Sequence, residues 1–233
     1  LGRYGFGEGH PLGQDRLTAF RVAAIREGID RSAEIAVPVA CNVTDLILFH
    51  EPEYVQRVEE LSTIGEGYLD CGDTPAHPGI YDAGRFVVGT GLAAINRILK
   101  HDWHHAFVPI GGLHHARRDG AAGFSVFNDC GIMIEALRRR FGINRLAYVD
   151  IDAHHGDGVY YAFEEDPDLA IADIHEDGRY LYPGSGAANE EGKGMARGTK
   201  LNIPLPPDSD DSDFFRAWSR VEALVEDHKP EFI

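Results

Sequence analysis

The sequence Leu146–Ala147–Tyr148–Val149–Asp150–Ile151–Asp152–Ala153–His154–His155–Gly156–Asp157–Gly158 joins two patterns with no turn between them. It begins with apolar, β-prone residues, which are typical of a strand buried on both faces of a parallel sheet. It continues with five groups within residues 150–157 that can bind a metal or transfer a proton. Ligand sites of open α/β sheets lie just beyond the carboxyl ends of the strands. We therefore expect a buried strand that carries a polar cluster to this edge of a parallel sheet.

The spacing of the acidic and histidine residues favours a metal site over a solvated strand end. Side chains alternate across a strand, so Asp150, Asp152 and His154 are expected to leave the sheet on one side. Carboxylate and imidazole groups are ligands of zinc-type divalent ions. Burying Asp150 and Asp152 beside apolar residues costs roughly several kcal/mol unless a cation or hydrogen bonds compensate. The alternative is an acidic strand end with solvated histidines.

The length and charge of the chain limit the classes of protein it can belong to. With 233 residues, the chain is long enough for one α/β domain with a sizeable core or for two small domains. Its formal net charge of -16 argues against direct binding of nucleic acid, which requires clustered Lys and Arg. The same charge is compatible with cationic partners such as lysine-rich tails.

Cysteine usage and the ends of the chain give expectations about its compartment and completeness. Cys41, Cys71 and Cys130 are scattered and form no CxxC pair, which suits a reducing cytoplasm. We find no signal peptide and no apolar run long enough to span a membrane. The chain lacks an initiator Met, and residues 230–233 resemble the first residues of another buried strand. We therefore expect a fragment that is truncated at both ends.

Apolar periodicity predicts strands that alternate with helices, which is typical of a doubly wound, mostly parallel α/β sheet flanked by helices. We expect a single domain over residues 1–233, with glycine-rich rim loops at 65–80 and 180–194. The predicted helices cover residues 14–27, 52–61, 81–99, a segment capped by Asn128 or Asp129, residues 158–163 and a last segment whose start carries the negative charges of residues 208–213. The predicted strands cover residues 35–39, 106–110, the start of the 146–158 stretch, 169–174 and 201–205.

A second polar cluster follows the predicted strand at 106–110, which runs directly into Gly111–Gly112–Leu113–His114–His115. Two strands that deliver histidines and carboxylates to one sheet edge supply the parts of a metal-water hydrolase. A bound divalent metal lowers the pKa of its water from about 15.7 to about 7. A neutral histidine can accept the remaining proton, and a carboxylate can fix its tautomer.

Taken together, these motifs resemble the zinc-dependent histone deacetylase family, most closely its class I-like and bacterial acetoin-utilisation-type members. The resemblance extends from the Gly7–Glu8–Gly9–His10–Pro11 opening to the end of the chain, and the two histidine motifs are very specific. It implies the arginase/deacetylase fold and removal of acetyl groups from lysine side chains or small acetylated amines. The segments that carry it are Gly111–Gly112–Leu113–His114–His115–Ala116, Gly123–Phe124, Asn128–Asp129 and the 150–158 part of the stretch quoted first.

The resemblance implies a metal site that this sequence fills only in part. Asp152 and His154 correspond to two of the family's three zinc ligands. The third is an Asp beyond the strand that begins at Phe232, and the transition-state tyrosine lies further on, so neither falls within residues 1–233. Ferrous iron is an alternative to Zn2+, since carboxylate and imidazole ligands suit both ions.

The resemblance also implies a proton relay. His114 and His115 correspond to the paired catalytic histidines of the family, oriented by Asp150 and Asp157 respectively. We assign the general base to His115, because family mechanisms place that proton transfer on the second histidine.

Substrate and structural-ion positions follow from the same resemblance. Phe124 and Tyr182 correspond to the walls of the narrow channel that holds the acyl-lysine stem, and most relatives have Phe where Tyr182 stands. Asp73 matches the rim aspartate that grips the substrate backbone. Asp150 resembles a ligand of a structural monovalent cation, usually K+, together with Asp173, where relatives tend to carry Ser.

The missing ligand and tyrosine lead to an expectation about activity. Two protein ligands hold zinc more weakly than three, and loss of an oxyanion donor costs roughly 3 kcal/mol of transition-state stabilisation. We expect the full-length protein to be a deacetylase and this segment alone to be inactive or weak.

Two other functions remain open at this point. An arginase-like metal ureohydrolase shares the fold and a metal-binding string like Asp152–Ala153–His154, but it uses two manganese ions and lacks the Gly–Leu–His–His element. A non-catalytic acyl-lysine binding module would be favoured if the chain truly ended at Ile233. The acetylated substrate is either a protein or a small amine.

Overall fold

The computed structural model describes residues 1–7 and 9–233. Glu8, in the opening motif, lies outside the described residues. The chain divides into two compact units, Leu1–Ala136 and Leu137–Ile233. The single deacetylase domain expected over residues 1–233 stays a prediction. Within the described residues, no helix is both long enough and apolar enough to cross a membrane.

The first unit is helical, and one of its helices begins at a proline and ends at a glycine. Pro52 occupies the first turn of its helix, and Gly65 ends it with φ 78°, a left-handed conformation that suits glycine. The helices are α1 (Arg16–Arg26), α2 (Val43–Leu46), α3 (Pro52–Ile64), α4 (Ile80–Leu99) and α5 (Asp129–Phe141), which continues into the second unit; a 3-10 turn spans Ile29–Ser32.

Helix α4 is the most buried helix of this unit, and its glycines permit close packing. A Cβ atom on Gly89 would lie 2.3 Å from the Val39 carbonyl oxygen and 2.4 Å from the Cys41 nitrogen. A Cβ atom on Gly91 would lie 2.8 Å from the Met133 sulfur. Only glycine therefore lets these neighbours approach the helix without displacement.

The strands predicted at 35–39 and 106–110 are wrong. Neither segment joins a sheet among the described residues. Val37 is 83% exposed and Phe107 is 73% exposed, so their apolar side chains are not those of buried strands. β-Branched and aromatic residues favour a strand only where a neighbouring strand supplies hydrogen bonds and packing.

The second unit contains the parallel sheet that the sequence predicts. It consists of β1 (Leu146–Asp150), β2 (Leu169–Glu176) and β3 (Lys200–Leu205), in that spatial order and all parallel. The register pairs Asp150 with Asp173 at the ends of β1 and β2. Near the end of the chain, Phe232 forms a single parallel bridge with Leu146.

Helix α7 (Asp211–His228) covers the sheet of the second unit, and a short helix, α6 (Asp157–Ala162), follows β1. The Asp210 carboxylate caps α7 by accepting hydrogen bonds from the Ser212 and Asp213 amides, which confirms the acidic start predicted for this helix. The core beneath it is apolar; its buried members are Ala172, Ile174, Ile203, Ala217 and Val221, with Phe214, Trp218 and Val225 packed against them.

We expect the substitution Ile203→Ala to destabilise this core. Ile203 is 6% exposed, and its truncation leaves a cavity beneath α7, with a cost of about 2–5 kcal/mol. Ile64→Ala is the matched control, because Ile64 is 65% exposed and its loss removes little buried surface. Urea unfolding of both variants measures the difference; equal losses of stability would contradict the packing described for β3.

Candidate functional site

The carboxyl end of β1 places Asp150 at the base of a polar loop. Its carboxylate is buried, although Ile151 beside it is 61% exposed. Asp150 Oδ2 accepts a hydrogen bond from the Tyr148 hydroxyl at 2.5 Å, and Oδ1 accepts one from the Asp152 amide at 3.0 Å. The hydrogen bonds compensate part of the cost of burying this carboxylate, and they fix the turn that carries the next two polar residues.

Asp152 and His154 lie side by side beyond this turn. The Asp152 Oδ1 atom accepts a hydrogen bond from the His154 amide at 2.8 Å and lies 2.9 Å from His154 Nδ1. Their side chains remain 53% and 41% exposed, respectively. A carboxylate oxygen and an imidazole nitrogen at this separation present two adjacent ligands, since zinc binds each at about 2.0–2.2 Å.

This pair fits part of a divalent-metal site. The donors are of the correct chemical type, and they are accessible at the end of the strand. Among the described residues, no group of three or more His, Cys, Asp or Glu side chains could hold a metal ion. The described residues therefore offer this pair of donors, and its role as a metal site stays a prediction.

Behind the pair, a buried network fixes the loop that follows β2. His155 Nδ1 lies 2.9 Å from Ser185 Oγ, and His175 Nε2 lies 2.9 Å from the Gly186 carbonyl oxygen. Gly186 has φ 82°, and a Cβ atom there would lie 2.5 Å from His175 Nε2. Because no other residue fits, the two histidines and Gly186 hold this loop at one position.

His175 also forms a buried hydrogen bond with Asp173. Its Nδ1 lies 2.7 Å from Asp173 Oδ1, while the Gly156 amide donates to Asp173 Oδ2 at 2.8 Å. Burial alone would lower the pKa of His175, but the Asp173 carboxylate outweighs it and raises that pKa. Burial, followed by the nearby charge of His175, lowers the pKa of His155 to about 4.

The contacts of Asp173 bear on the monovalent-cation site expected at Asp150 and Asp173. The Gly156 amide donates to Asp173 Oδ2, and His175 Nδ1 lies 2.7 Å from Asp173 Oδ1. Both oxygens of this carboxylate therefore already have a hydrogen-bond partner. The K+ role of Asp150 and Asp173 stays a prediction.

Tyr182 and Asp157, the remaining predicted residues of this unit, lie in different settings. The Tyr182 ring is 44% exposed, and its centroid lies 6.3 Å from that of His154 in an edge-on arrangement. Its position beside a metal-ligand candidate is consistent with a channel wall. Asp157 is buried in the first turn of α6, where its amide donates to the His155 carbonyl oxygen at 2.8 Å.

The first unit contains the other cluster, centred on His114 and His115. Both side chains are buried, and their Nε2 atoms lie 3.1 Å apart. Gly112, with φ 91°, turns the backbone immediately before them. The adjacent imidazoles can therefore exchange a proton through a direct hydrogen bond.

Asn128 and Asp129 hold this histidine turn, a role that sequence reasoning missed. The Asp129 carboxylate accepts hydrogen bonds from the Gly112 amide at 3.0 Å and the Leu113 amide at 2.7 Å. The Asn128 side-chain amide donates to the carbonyl oxygens of His114 and Ala116 at 3.2 and 2.8 Å. The sequence predicts only a helix cap here, which Asn128 also provides by accepting from the Gly131 amide at 2.8 Å.

His50, which precedes α3, is buried beneath Asn128. Its Nε2 accepts a hydrogen bond from the Asn128 amide at 2.9 Å, so its Nδ1 carries the proton and donates to the Arg118 carbonyl oxygen at 3.3 Å. Burial lowers the pKa of His50 to about 4. The imidazole is therefore neutral, and it supports the residue that holds the histidine turn.

The rim residue Asp73 shares its loop with a second carboxylate, Asp70. Asp70 Oδ1 accepts hydrogen bonds from the amides of Gly72, Asp73 and Thr74 at 2.9–3.0 Å. Burial would raise the pKa of Asp70, but side-chain hydrogen bonds with Asp73 and Thr74, followed by the backbone amides, outweigh it and hold that pKa well below its usual range. A hydrogen bond with the Asp70 carboxylate, together with burial, raises the pKa of Asp73 to about 6.

Phe124 completes the predicted residues of the first unit. Its φ of 67° lies in the left-handed region, which is uncommon for a bulky residue. Its ring centroid lies 4.5 Å from that of His10, whose Nε2 lies 3.1 Å from the Asp73 carbonyl oxygen. The structure thus brings the channel and rim candidates Phe124 and Asp73 close to His10, a residue of the opening motif.

Every predicted residue therefore lies in one of two clusters, each contained in its own unit. The first unit holds His114, His115, Asp73 and Phe124, and the second holds Asp150, Asp152, His154, Asp157, Asp173 and Tyr182. The catalytic, metal-binding and substrate roles given to them stay predictions.

The fold and the motifs together define the class of protein. The backbone superposes on a crystal structure of an HDAC homolog complexed with SAHA, with a TM-score of 0.85 and 30% identity, over 97% of this chain and 62% of that one. It superposes equally on an HDAC homolog from Aquifex aeolicus, with a TM-score of 0.84 and 30% identity, over 99% of this chain and 64% of that one. The predicted arginase/deacetylase fold is confirmed.

The family model of the histone deacetylase domain matches residues 10–233, and the chain belongs to this family. It is 35% identical over 230 residues to the acetoin utilization protein AcuC of Bacillus subtilis, covering 95% of this chain and 59% of that protein. It is 31% identical to Histone deacetylase 6 of Arabidopsis thaliana, covering 100% of this chain and 51% of that protein. The predicted resemblance to acetoin-utilisation-type members is confirmed. The chain spans less than two thirds of the length of these relatives.

We expect acid to destabilise the first unit through His50. Its folded pKa of about 4 lies below the ordinary value of 6.5, so the unfolded chain binds the extra proton first. The contribution of neutral His50 to the free energy of unfolding is complete above pH 6.5 and falls as the pH drops toward 4. Between pH 7.5 and pH 5 this contribution decreases by about 2 kcal/mol.

Urea unfolding at these two pH values tests the expectation. His50→Gln retains an amide that can accept and donate but does not titrate, so its free energy of unfolding should fall less over this range. His104→Gln, at an exposed position, is the matched control and should follow the wild-type protein. A His50→Gln variant with the full wild-type pH dependence would show that His50 is not the titrating group.

Proposed function

We propose that this chain carries the catalytic machinery of a divalent-metal-dependent deacetylase, which hydrolyses the acetyl amide of acetyl-lysine on proteins or of small acetylated amines. The observation that supports it most directly is the Asp152–His154 pair, whose carboxylate oxygen and imidazole nitrogen lie 2.9 Å apart beyond β1. Membership of the histone deacetylase domain family over residues 10–233 supports the same reaction.

In this proposal, Asp152 and His154 hold Zn2+, with Fe2+ as the alternative ion. When bound, the ion supplies Lewis-acid chemistry: it polarises the acetyl carbonyl and lowers the pKa of its water to about 7. Asp150 fixes the turn on which both ligands stand, through its hydrogen bond from the Asp152 amide. Asp150 is therefore a positioning residue for the ligands in addition to its proposed role toward His114.

The histidine pair moves the protons of the reaction. His115 is the proposed general base, which takes a proton at Nε2, and His114 Nε2, 3.1 Å away, shares or stabilises the resulting charge. Asp150 is proposed to orient His114, and Asp157 to orient His115, by accepting their ring protons. Asn128 and Asp129 keep the backbone of the pair fixed, so that little reorganisation accompanies proton transfer.

The substrate residues take the acyl-lysine stem and its backbone. Phe124 and Tyr182 are proposed to flank the aliphatic stem, and the Tyr182 hydroxyl makes this channel more polar than a Phe would. Asp73 is proposed to accept hydrogen bonds from the substrate backbone. An acidic chain attracts lysine-rich protein tails or polyamines rather than nucleic acid, and we propose a cytoplasmic enzyme that does not act on membranes.

Acetate release tests the function directly. We expect the natural full-length polypeptide, loaded with Zn2+ or Fe2+, to release acetate from an acetyl-lysine peptide or an acetylated polyamine, and SAHA or another hydroxamate to inhibit it. Release of urea from arginine instead would favour the arginase-like alternative. Binding of acetyl-lysine peptide without turnover would favour the binding-module alternative.

We expect Asp152→Asn to weaken metal binding by at least about 10-fold, because it removes a charged ligand and even outer-shell changes cost about 10–100-fold. Elemental mass spectrometry of the dialysed protein measures how much metal it retains, and this readout of metal affinity does not depend on activity. Asp227→Asn, at an exposed position of α7, removes the same charge elsewhere and should leave metal content unchanged. Equal loss of metal from both variants would rule out a specific ligand role for Asp152.

We expect residues 1–233 alone to be inactive or weakly active. The described residues supply no group of three metal ligands, and a two-ligand site holds its ion weakly. The comparison is the kcat/KM of this segment and of the natural full-length polypeptide on one acetyl-lysine peptide at saturating Zn2+. Equal values would show that the segment contains the complete site.

A further inference from the structure

The peptide groups of Phe124 are held on both sides by side-chain hydroxyls from distant segments. The Phe124 amide donates to Thr74 Oγ1 at 3.2 Å, and the Tyr4 hydroxyl donates to the Phe124 carbonyl oxygen at 2.8 Å. The Tyr4 hydroxyl also accepts a hydrogen bond from the Val126 amide at 2.9 Å. A residue with φ 67° persists only where its surroundings impose that conformation, and these bonds impose it here.

The same threonine also contacts the rim aspartate. Thr74 is fully buried, and its hydroxyl lies 3.3 Å from Asp73 Oδ1. A hydroxyl has only one proton to donate. Because an amide cannot accept it, the Thr74 oxygen accepts from the Phe124 amide, and its proton is left for the carboxylates of its own loop, Asp73 and the neighbouring Asp70. One hydroxyl therefore joins the loop that carries Asp73 to the Phe124 peptide.

We propose that Thr74 is a positioning residue that sets the spacing between Phe124 and Asp73, with Tyr4 holding the opposite side of the Phe124 peptide. The inference rests on the proposed function, in which these two residues contact the acyl-lysine substrate. Thr74 lies in the loop between α3 and α4, and Phe124 lies before α5. Without the shared hydroxyl, these two loops would hold their substrate-contacting residues independently.

Two substitutions test the effect of the Thr74 hydroxyl separately from that of the rest of the side chain. Thr74→Val keeps the branched shape but removes the donor and the acceptor, whereas Thr74→Ser keeps both. For Thr74→Val in the natural full-length enzyme, we expect the KM for an acetyl-lysine peptide to rise by about 3- to 10-fold, the size of one or two neutral hydrogen bonds. The kcat should change by less than about 2-fold, because the histidine pair and the metal ligands are untouched.

The controls distinguish positioning from general stability. Thr74→Ser should restore KM to within about 2-fold of the wild-type value. Thr63→Val is matched in chemistry, because Thr63 is an exposed residue of α3 whose hydroxyl bonds only the Glu59 carbonyl oxygen. An unchanged KM in Thr74→Val, or an equal rise in Thr74→Ser, would overturn the proposal.

A second readout does not depend on activity. Hydrogen exchange of the Phe124 amide should accelerate by about 3- to 10-fold in Thr74→Val and remain unchanged in Thr63→Val, because only the former loses its acceptor. Should the wild-type enzyme deacetylate no peptide, the proposed function fails, and the exchange of this amide alone decides the inference. Exchange that is equal in the wild-type protein and Thr74→Val would overturn it.

Discussion

The parallel pairing of β1 with β2 is the constraint on which the second unit depends. Its register places Asp150 and Asp173 on neighbouring strands at the same sheet edge, so two carboxylates are buried side by side. Such a pair is costly unless hydrogen bonds and a cation compensate it. Tyr148, two backbone amides and the His175 imidazole are the hydrogen-bond partners of the two carboxylates. These bonds make this edge of the sheet a support from which the metal-ligand candidates project.

The elements that could be predicted from the sequence are those whose pattern is local. Strand β1 is buried and runs into its polar loop as its apolar start indicates, and α7 has its acidic cap and apolar face. The segments 35–39 and 106–110 have the same apolar composition but form no ladder among the described residues. Strand formation depends on a partner strand, and the sequence of a segment does not show whether a distant part of the chain supplies one.

In the candidate site, likewise, the reacting side chains could be predicted and the contacts that hold them could not. The types and order of the histidines and aspartates were readable, because they are the reacting groups. The support given by Asn128 to the histidine turn was not, since a helix cap and a loop clamp require the same residue type. The burial of His50 could not be predicted for a related reason: its two backbone partners, in residues 118 and 128, are distant along the chain. Buried neutral histidines are recognised by their partners, which appear only on folding.

Gly186 limits where the loop between β2 and β3 can change in length without moving Tyr182. Its missing side chain lets His155 and His175 close on the backbone, so this one peptide is fixed relative to the sheet. A loop that is pinned at an internal point behaves as two shorter loops, and a change of length in one is not transmitted to the other. Insertions between residues 187 and 199 would therefore leave Tyr182 in place. The surface of the second unit can thus diversify on one side of Gly186 while the side that carries the proposed channel wall remains unchanged.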